Sequence, residues 1–97
     1  MQRIAHDLNV IKGLDLIADF DAFKVLRLML DPGDSAQTQH TNYTIVIGVA
    51  GEMTLDDLTA LGPEQAFFQA PKGALQFTNR GTTPATVLIA EENKPPL

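Results

Sequence analysis

Glycine and proline residues divide this 97-residue chain into short apolar segments. Several of the breaks fall roughly ten residues apart, which is typical of strands joined by tight turns. The spacing therefore predicts an antiparallel sandwich or barrel. The breaks are Gly13, Pro32-Gly33, Gly48, Gly51, Gly62-Pro63, Pro71-Lys72-Gly73, Gly81 and Pro84.

Within the segments, β-branched and aromatic residues indicate strands. Residues 43–49 are the clearest case, and residues 23–30 alternate between a leucine face and a face that contains Arg27. A helix could also be drawn through residues 14–30, but the alternation and the stop at Pro32-Gly33 favour a strand over 23–30. Further strands are predicted at residues 53–55, 58–61, 66–70, 74–78 and 85–90. The fold class is thus all-β, and a double-sheet jelly roll closes it naturally because it hides most strand edges.

The length predicts one domain over residues 1–97. We expect residues 1–22 to supply N-terminal edge strands and residues 91–97 to leave the fold as a polar tail. A domain of this size buries a modest fraction of its surface, so association into a homodimer is expected. Phe67 and Phe68 are adjacent and must point to opposite faces of a strand, one into the core and the other towards the barrel mouth or a dimer interface, of which we favour the interface.

Composition and charge exclude several classes of protein. The net charge is −5, with seven basic and twelve acidic residues, and no basic cluster exists for a nucleic-acid backbone or an anionic membrane. The chain has no cysteine, which excludes disulfides and thiol catalysis. No apolar run is long enough to span a bilayer, and the first twelve residues lack a signal-peptide core. The sequence therefore predicts a cytoplasmic protein.

Residues Pro32–Glu52 and Leu61–Ala85 together resemble the two motifs of the cupin superfamily. The first is a Pro-Gly turn, a polar stretch and a hydrophobic strand that leads to Gly51-Glu52. The second is the Pro-x-Gly of residues 71–73, followed by a strand that ends near the Asn-x-Gly of residues 79–81. The resemblance implies a double-stranded β-helix, the jelly-roll barrel of that superfamily, and a small-ligand or metal site inside it.

Metal-binding cupins present His-x-His and Glu in the first motif and a third histidine in the second. By this resemblance the four ligand positions are Thr38, His40, Thr44 and Gln76, so one in four is kept. Counting from Asn79 instead of Gly73 places the last position at Leu75, which is not a ligand either. Since transition metals in proteins normally need three or four N, O⁻ or S ligands, no metal and no cofactor is expected.

The candidate pocket residues are Thr38, His40, Thr44, Gln76 and Arg27. Thr38, His40, Asn42 and Thr44 have the spacing of one strand face, which is either a polar rim over an apolar floor or a solvent-exposed strand end. His40 could bind a ligand, act as a general base or be structural. Arg27 could hold a ligand carboxylate or phosphate, or be an exposed partner in a salt bridge.

Three functions follow from these observations. The first is a cupin without a competent metal site that binds a small polar or anionic ligand in a non-catalytic or accessory role. The second is a cupin-type enzyme, such as an isomerase, lyase or dioxygenase-like protein, which uses His40 with a weak or absent metal. The third is a dimeric structural or regulatory module.

Overall fold

The computed structural model describes residues 13–56, 58–70 and 73–93, and these residues form β-strands and no helix. The predicted all-β class is therefore confirmed, and the alternative helix through residues 14–30 is wrong. The strands in chain order are β1 (Leu14–Asp19), β2 (Phe23–Leu30), β3 (Ser35–His40), β4 (Thr44–Ala50), β5 (Met53–Leu55), β6 (Thr59–Leu61), β7 (Ala66–Gln69), β8 (Gly73–Thr78) and β9 (Ala85–Glu92).

The strands form two antiparallel sheets. One sheet has five strands in the order β1-β2-β9-β4-β7, and the other has four in the order β3-β8-β5-β6. The inner faces of both sheets supply one hydrophobic core, in which Leu28, Leu75, Phe77 and Ile89 are completely buried. This arrangement is the predicted double-sheet jelly roll, and each strand alternates between this core and the outer surface.

Strand pairing sorts the side chains of the five-stranded sheet into rows. On the inner face one row is entirely apolar and runs Leu16, Leu26, Ile89, Val46 and Phe67 across all five strands. The next row towards the start of β2 is polar. It contains Lys24, Glu91 and Thr44, which lie opposite one another on β2, β9 and β4. The barrel interior therefore changes from apolar to polar within one row.

Asn79 holds the strands together at the other end of the barrel, and it is only 1% exposed. Its side-chain amide donates to the carbonyl oxygens of Leu30 and Thr83, and its side-chain oxygen accepts from the Gly81 backbone N–H. The neighbouring turn needs Gly33, because its φ of 87° lies in the left-handed region. The Asn-x-Gly element is thus a structural clamp between β2, β8 and β9.

Gly48 lies on the inner side of β4 beside a β-bulge, where the register with β9 shifts between Gly48 and Ala50. Its N–H donates to the Gln65 carbonyl at 2.8 Å and its carbonyl accepts from Glu64 at 3.0 Å. A side chain on Gly48 would collide with the backbone carbonyl of Gly62. The missing side chain does not create room for a ligand; it lets the β6–β7 connection pack against β4.

The two ends of the chain differ in how far the structure tests their predicted roles. β9 continues to Glu92, so the predicted tail over residues 91–97 begins too early, because Glu91 and Glu92 still pair with β2. β1 is an edge strand within the predicted N-terminal segment, whereas residues 1–12 lie outside the described residues. Within the described part of the chain, no helix is long and apolar enough to cross a membrane.

Candidate functional site

A polar cluster occupies the end of the barrel where the polar row of the five-stranded sheet meets the end of β3. Its members are Lys24, Glu91 and Thr44 from the five-stranded sheet and Thr38 and His40 from the four-stranded sheet. We call these five residues the polar cluster. All five are buried, with exposed fractions of 1–6%. Buried polar side chains are costly unless they are paired, so the contacts within the polar cluster decide its chemistry.

Glu91 is the centre of the polar cluster. Its Oε1 lies 3.0 Å from His40 Nδ1 and 4.0 Å from Lys24 Nζ. Lys24 also donates to the Asn93 side-chain oxygen at 3.3 Å. The carboxylate is therefore compensated by an ammonium from the neighbouring strand and by an imidazole N–H from the facing sheet.

His40 is held at both ring nitrogens. A carboxylate can only accept, so Nδ1 donates its proton to Glu91. In the neutral ring Nε2 is then the acceptor, and the Thr38 hydroxyl lies 2.5 Å from it. The order carboxylate, imidazole, hydroxyl fixes the ring orientation and its tautomer. It is also the order in which a histidine can move a proton to or from a hydroxyl.

The turn between β3 and β4 adjoins the polar cluster and is tied to the end of β9. Asn42, which is 7% exposed, donates its side-chain amide to the Glu92 carbonyl at 2.8 Å. The Glu92 N–H donates to the Tyr43 carbonyl, and the Thr44 hydroxyl donates to the Asn42 carbonyl. These bonds place Asn42 as a support of the turn. Its side chain is committed to the backbone of β9.

The structure brings together three of the five predicted pocket residues, namely Thr38, His40 and Thr44. They do not share one strand face as the spacing suggested, because β3 ends at His40 and β4 begins at Thr44 in the other sheet. The two strands nevertheless direct all three side chains into the barrel. The period-two spacing of these residues thus predicted correctly that their side chains face inward. It did not predict the turn between His40 and Thr44.

Gln76 does not face the barrel. On β8 the buried positions are Leu75 and Phe77, and Thr38 pairs with Leu75. Gln76 therefore lies on the outer face, where it pairs with the exposed Gln37. The register obtained by counting from Asn79 is the correct one, and an apolar leucine occupies the inward position.

Arg27 is also separated from the polar cluster. The inward positions of β2 are Lys24, Leu26, Leu28 and Leu30, so Arg27 points to the outer face. Its Nη2 lies 3.4 Å from Asp15 Oδ2 on β1, and 43% of its side chain is exposed. Of the two predicted roles of Arg27, the structure therefore supports the exposed salt-bridge partner and not the ligand-binding residue.

Solved structures contain the same arrangement of strands. A cupin domain from Bordetella pertussis Tohama I superimposes with a TM-score of 0.72 over 84% of this chain and 92% of its own, at 15% identity. The cupin domain of an XRE-family transcriptional regulator from Enterobacter cloacae gives a TM-score of 0.73 over 86% and 96%, at 17% identity. The chain has the cupin fold.

A third cupin-fold structure is described as a sugar phosphate isomerase from Silicibacter pomeroyi. It gives a TM-score of 0.68 at 22% identity, and the match covers 86% of this chain and 61% of that one. No protein-family model and no curated protein matches the sequence. The motif resemblance is thus confirmed for the fold, and fold alone does not assign a function.

The side chains at the ligand positions of this cupin fold do not fit a transition-metal site. They offer one imidazole, two hydroxyls and the Leu75 side chain, and both nitrogens of the imidazole are hydrogen-bonded. The nearby carboxylate of Glu91 faces the Lys24 ammonium, whose charge opposes a second cation. Over residues 13–56, 58–70 and 73–93 no three His, Asp or Glu side chains are grouped to hold a metal ion.

Lys24 and Glu91 are functional candidates that the sequence analysis missed. Both could have been found by alternation, because Lys24 lies in phase with the leucine face of β2. Glu91 lies in phase with Ala85, Val87 and Ile89 on β9. A charged residue on the core face of a strand is a strong signal, and here two such residues lie opposite each other.

Proposed function

We propose that this cupin-fold protein binds a small polar or anionic ligand at the polar cluster, in a non-catalytic or accessory role and without a resident metal. The observation that carries the proposal is the inward-facing Lys24–Glu91–His40 contact, which lies next to the apolar row of the barrel interior. Ligand sites are commonly apolar cavities with a few convergent polar groups. Lys24 supplies a cation. The hydroxyls of Thr38 and Thr44 bond His40 and the Asn42 carbonyl, so they would donate to a ligand by exchanging those partners.

The polar cluster offers one cation to an anionic ligand. The Lys24 ammonium and the Glu91 carboxylate balance each other in charge, with Nζ and Oε1 4.0 Å apart. An incoming phosphate or carboxylate would pair with the Lys24 ammonium. Because the polar cluster is buried, binding requires movement of the β3–β4 turn, which Asn42 ties to β9.

Phosphate binding tests this proposal. We expect inorganic phosphate or glucose 6-phosphate to shift the backbone amide signals of Thr38, His40 and Thr44 in ¹⁵N NMR titrations. Lys24→Gln should weaken binding about 10–100-fold, since it removes a charged hydrogen-bond donor. Arg27→Gln is the matched control, because it removes one cation from the outer face, and it should leave the affinity within about twofold.

Three results would contradict the proposal. One is no shift at millimolar concentrations of either probe. The second is an equal loss of affinity in Lys24→Gln and Arg27→Gln, which would indicate a nonspecific effect of net charge. The third is a set of shifts that leaves the polar cluster unchanged, which would place the bound anion elsewhere on the protein.

A second candidate is an enzyme that uses His40 as a general base, and the Thr38–His40–Glu91 geometry favours it. The Glu91 carboxylate accepts a hydrogen bond from Nδ1 and orients the imidazole, so Nε2 is the nitrogen that would act as the base. The comparison with an isomerase of sugar phosphates suggests dihydroxyacetone phosphate as a probe. Exchange of its carbon-bound hydrogen in D₂O, abolished in His40→Gln and retained in Arg27→Gln, would support catalysis. Equal exchange in His40→Gln would exclude this mechanism.

A further inference from the structure

Two connections that the structure describes completely reach the end of the barrel that holds the polar cluster. They are residues 20–22 between β1 and β2 and residues 41–43 between β3 and β4. The second connection is flanked on both sides by members of the polar cluster, because His40 ends β3 and Thr44 begins β4. A movement of residues 41–43 therefore acts directly on the polar cluster. We call residues 41–43 the gate.

The gate is attached to the end of β9 by two hydrogen bonds, and both involve the backbone of Glu92. The Asn42 side-chain amide donates to the Glu92 carbonyl at 2.8 Å, and the Glu92 N–H donates to the Tyr43 carbonyl at 3.0 Å. On the outside of the barrel the Tyr43 ring stacks on Phe68 with ring centroids 5.6 Å apart. One of the two bonds thus depends on a single side chain of the gate itself.

The connection between β1 and β2 is attached more firmly. The Asn93 N–H donates to the Ala22 carbonyl at 2.9 Å, and the Asn93 side-chain amide donates to Asp19 and to the Phe20 carbonyl. The connection also closes on itself, since the Phe20 N–H donates to the Phe23 carbonyl and the two rings lie 5.0 Å apart. Of the two connections, the gate is therefore the one that opens with the loss of fewer contacts.

Asn42 differs in burial from the residues beside it in the gate. Asn42 is 7% exposed, whereas Thr41 is exposed and Tyr43 is 41% exposed. The Asn42 carbonyl accepts the Thr44 hydroxyl at 3.1 Å, so this hydroxyl is occupied while the gate is closed. Displacement of Asn42 breaks that bond together with the bond to Glu92. Opening therefore uncovers the polar cluster and also releases one of its hydroxyl groups for a ligand.

We propose that the gate opens to admit ligands to the polar cluster and that the Asn42 side chain holds it closed. Ligand entry through the gate rests on the function proposed above, whereas the opening itself does not. The opening is local, because the pairing of β4 with β9 from Thr44 onwards is kept. Segments with few buried apolar contacts open at a lower free energy than the whole fold.

Amide hydrogen exchange of the full chain, followed by ¹⁵N NMR, tests the opening. The Glu92 N–H loses its acceptor when the gate opens, whereas the neighbouring Asn93 N–H is bonded to the other connection. We expect Asn42→Ala to lower the protection factor of the Glu92 amide about 3–10-fold, as the loss of one hydrogen bond predicts, and to leave Asn93 within about twofold. Asn93→Ala is the matched control, and it should affect the amide of residue 93 and leave that of Glu92 within about twofold.

Chemical modification of His40 tests whether the gate leads to the polar cluster. Diethyl pyrocarbonate modifies accessible imidazoles, and the two histidines of the chain, His6 and His40, are distinguished by mass spectrometry of peptides. We expect modification of His40, measured relative to His6 in the same sample, to be about 3–10-fold faster in Asn42→Ala. In Asn93→Ala it should stay within about twofold of the unmodified chain.

Three results would overturn the proposal. One is an equal loss of protection at Glu92 and Asn93 in Asn42→Ala, which would indicate general loosening. The second is an increase in the Glu92 exchange rate of about fivefold or more per molar urea, because a local opening exposes little surface and global unfolding exposes much. The third is an unchanged rate of His40 modification, which would place the entry elsewhere.

Asn42→Asp, which keeps the size of the side chain and removes the donor, provides a second variant if Asn42→Ala does not fold. Neither measurement uses a ligand. A failure of phosphate to bind would therefore contradict the proposed function and leave the gate standing, whereas the three results above would contradict the gate alone.

Discussion

Glu91→Gln should lower the free energy of unfolding by about 3–5 kcal/mol, although it replaces one oxygen-containing side chain with another of equal size. The carboxylate is the shared partner of Lys24 and His40, and the side chains of Lys24 and Glu91 are 8% and 7% exposed. Removing its charge leaves a buried ammonium without a counter-ion, which costs more than the loss of a neutral hydrogen bond. Urea denaturation followed by far-UV circular dichroism measures the effect.

The double variant Lys24→Met/Glu91→Gln is the control for this prediction. Replacing both members of a buried ion pair removes the desolvation penalty together with the attraction, so the double variant should be more stable than Glu91→Gln alone. We expect it to recover most of the loss. If Glu91→Gln costs less than about 1 kcal/mol, or if the double variant is less stable still, the buried pair does not contribute as described.

Gly48→Ala should destabilise the fold by about 3 kcal/mol or more, although alanine is the smallest side chain that can replace glycine. The added Cβ would overlap the carbonyl oxygen of Gly62 and lie 2.8 Å from its carbon. That carbonyl cannot move freely, because Gly48 also bonds the same connection through Gln65 and Glu64. Relief therefore requires β4 and the β6–β7 connection to separate.

Gly62→Ala is the matched control, because Gly62 is the other glycine of this contact. A Cβ at Gly62 meets only the Gln65 side-chain oxygen, at the ordinary distance of 3.4 Å. We expect a change below about 1 kcal/mol in the same denaturation experiment. Comparable losses in both variants would show that the cost arises from substituting glycine in general and not from the close approach at Gly48.

Much of the fold could be predicted from the sequence, because the glycine and proline breaks and the alternation of apolar and polar residues indicate the same strands. Pro32-Gly33 ends β2, and the leucine face of residues 23–30 is the buried face. β3 was harder to recognise, because Ala36 is the only apolar residue of Ser35–His40 and only Thr38 and His40 are fully buried. The end of β9 was missed for the same reason, since Glu91 and Glu92 suggest a solvated tail until their pairing with β2 is known.

The site was predicted only in part, because its charges come from strands that are distant in sequence. Thr38, His40 and Thr44 belong to one motif, but Lys24 and Glu91 become neighbours only when β2 pairs with β9. A strand register cannot be read from composition, and an error of one residue exchanges Leu75 for Gln76. The inward direction of Lys24 was nevertheless contained in the alternation of β2.

The polar cluster suggests how a cupin fold can keep a polar interior without metal ligands. Glu91 places an anion inside the barrel, and Lys24 compensates it as a covalently attached cation. His40 and Thr38 complete the hydrogen bonding from the opposite sheet. We therefore propose that side chains within the chain supply the charge balance that a bound metal supplies in metal-binding cupins.

Metal analysis of the purified chain, prepared without a histidine tag from medium supplemented with iron, manganese, nickel and zinc, is the test of this metal-free charge balance. We expect well below one equivalent of any of these metals after dialysis, and no change in thermal stability on adding them. A full equivalent of one metal retained through dialysis, and lost together with stability in His40→Gln, would contradict it.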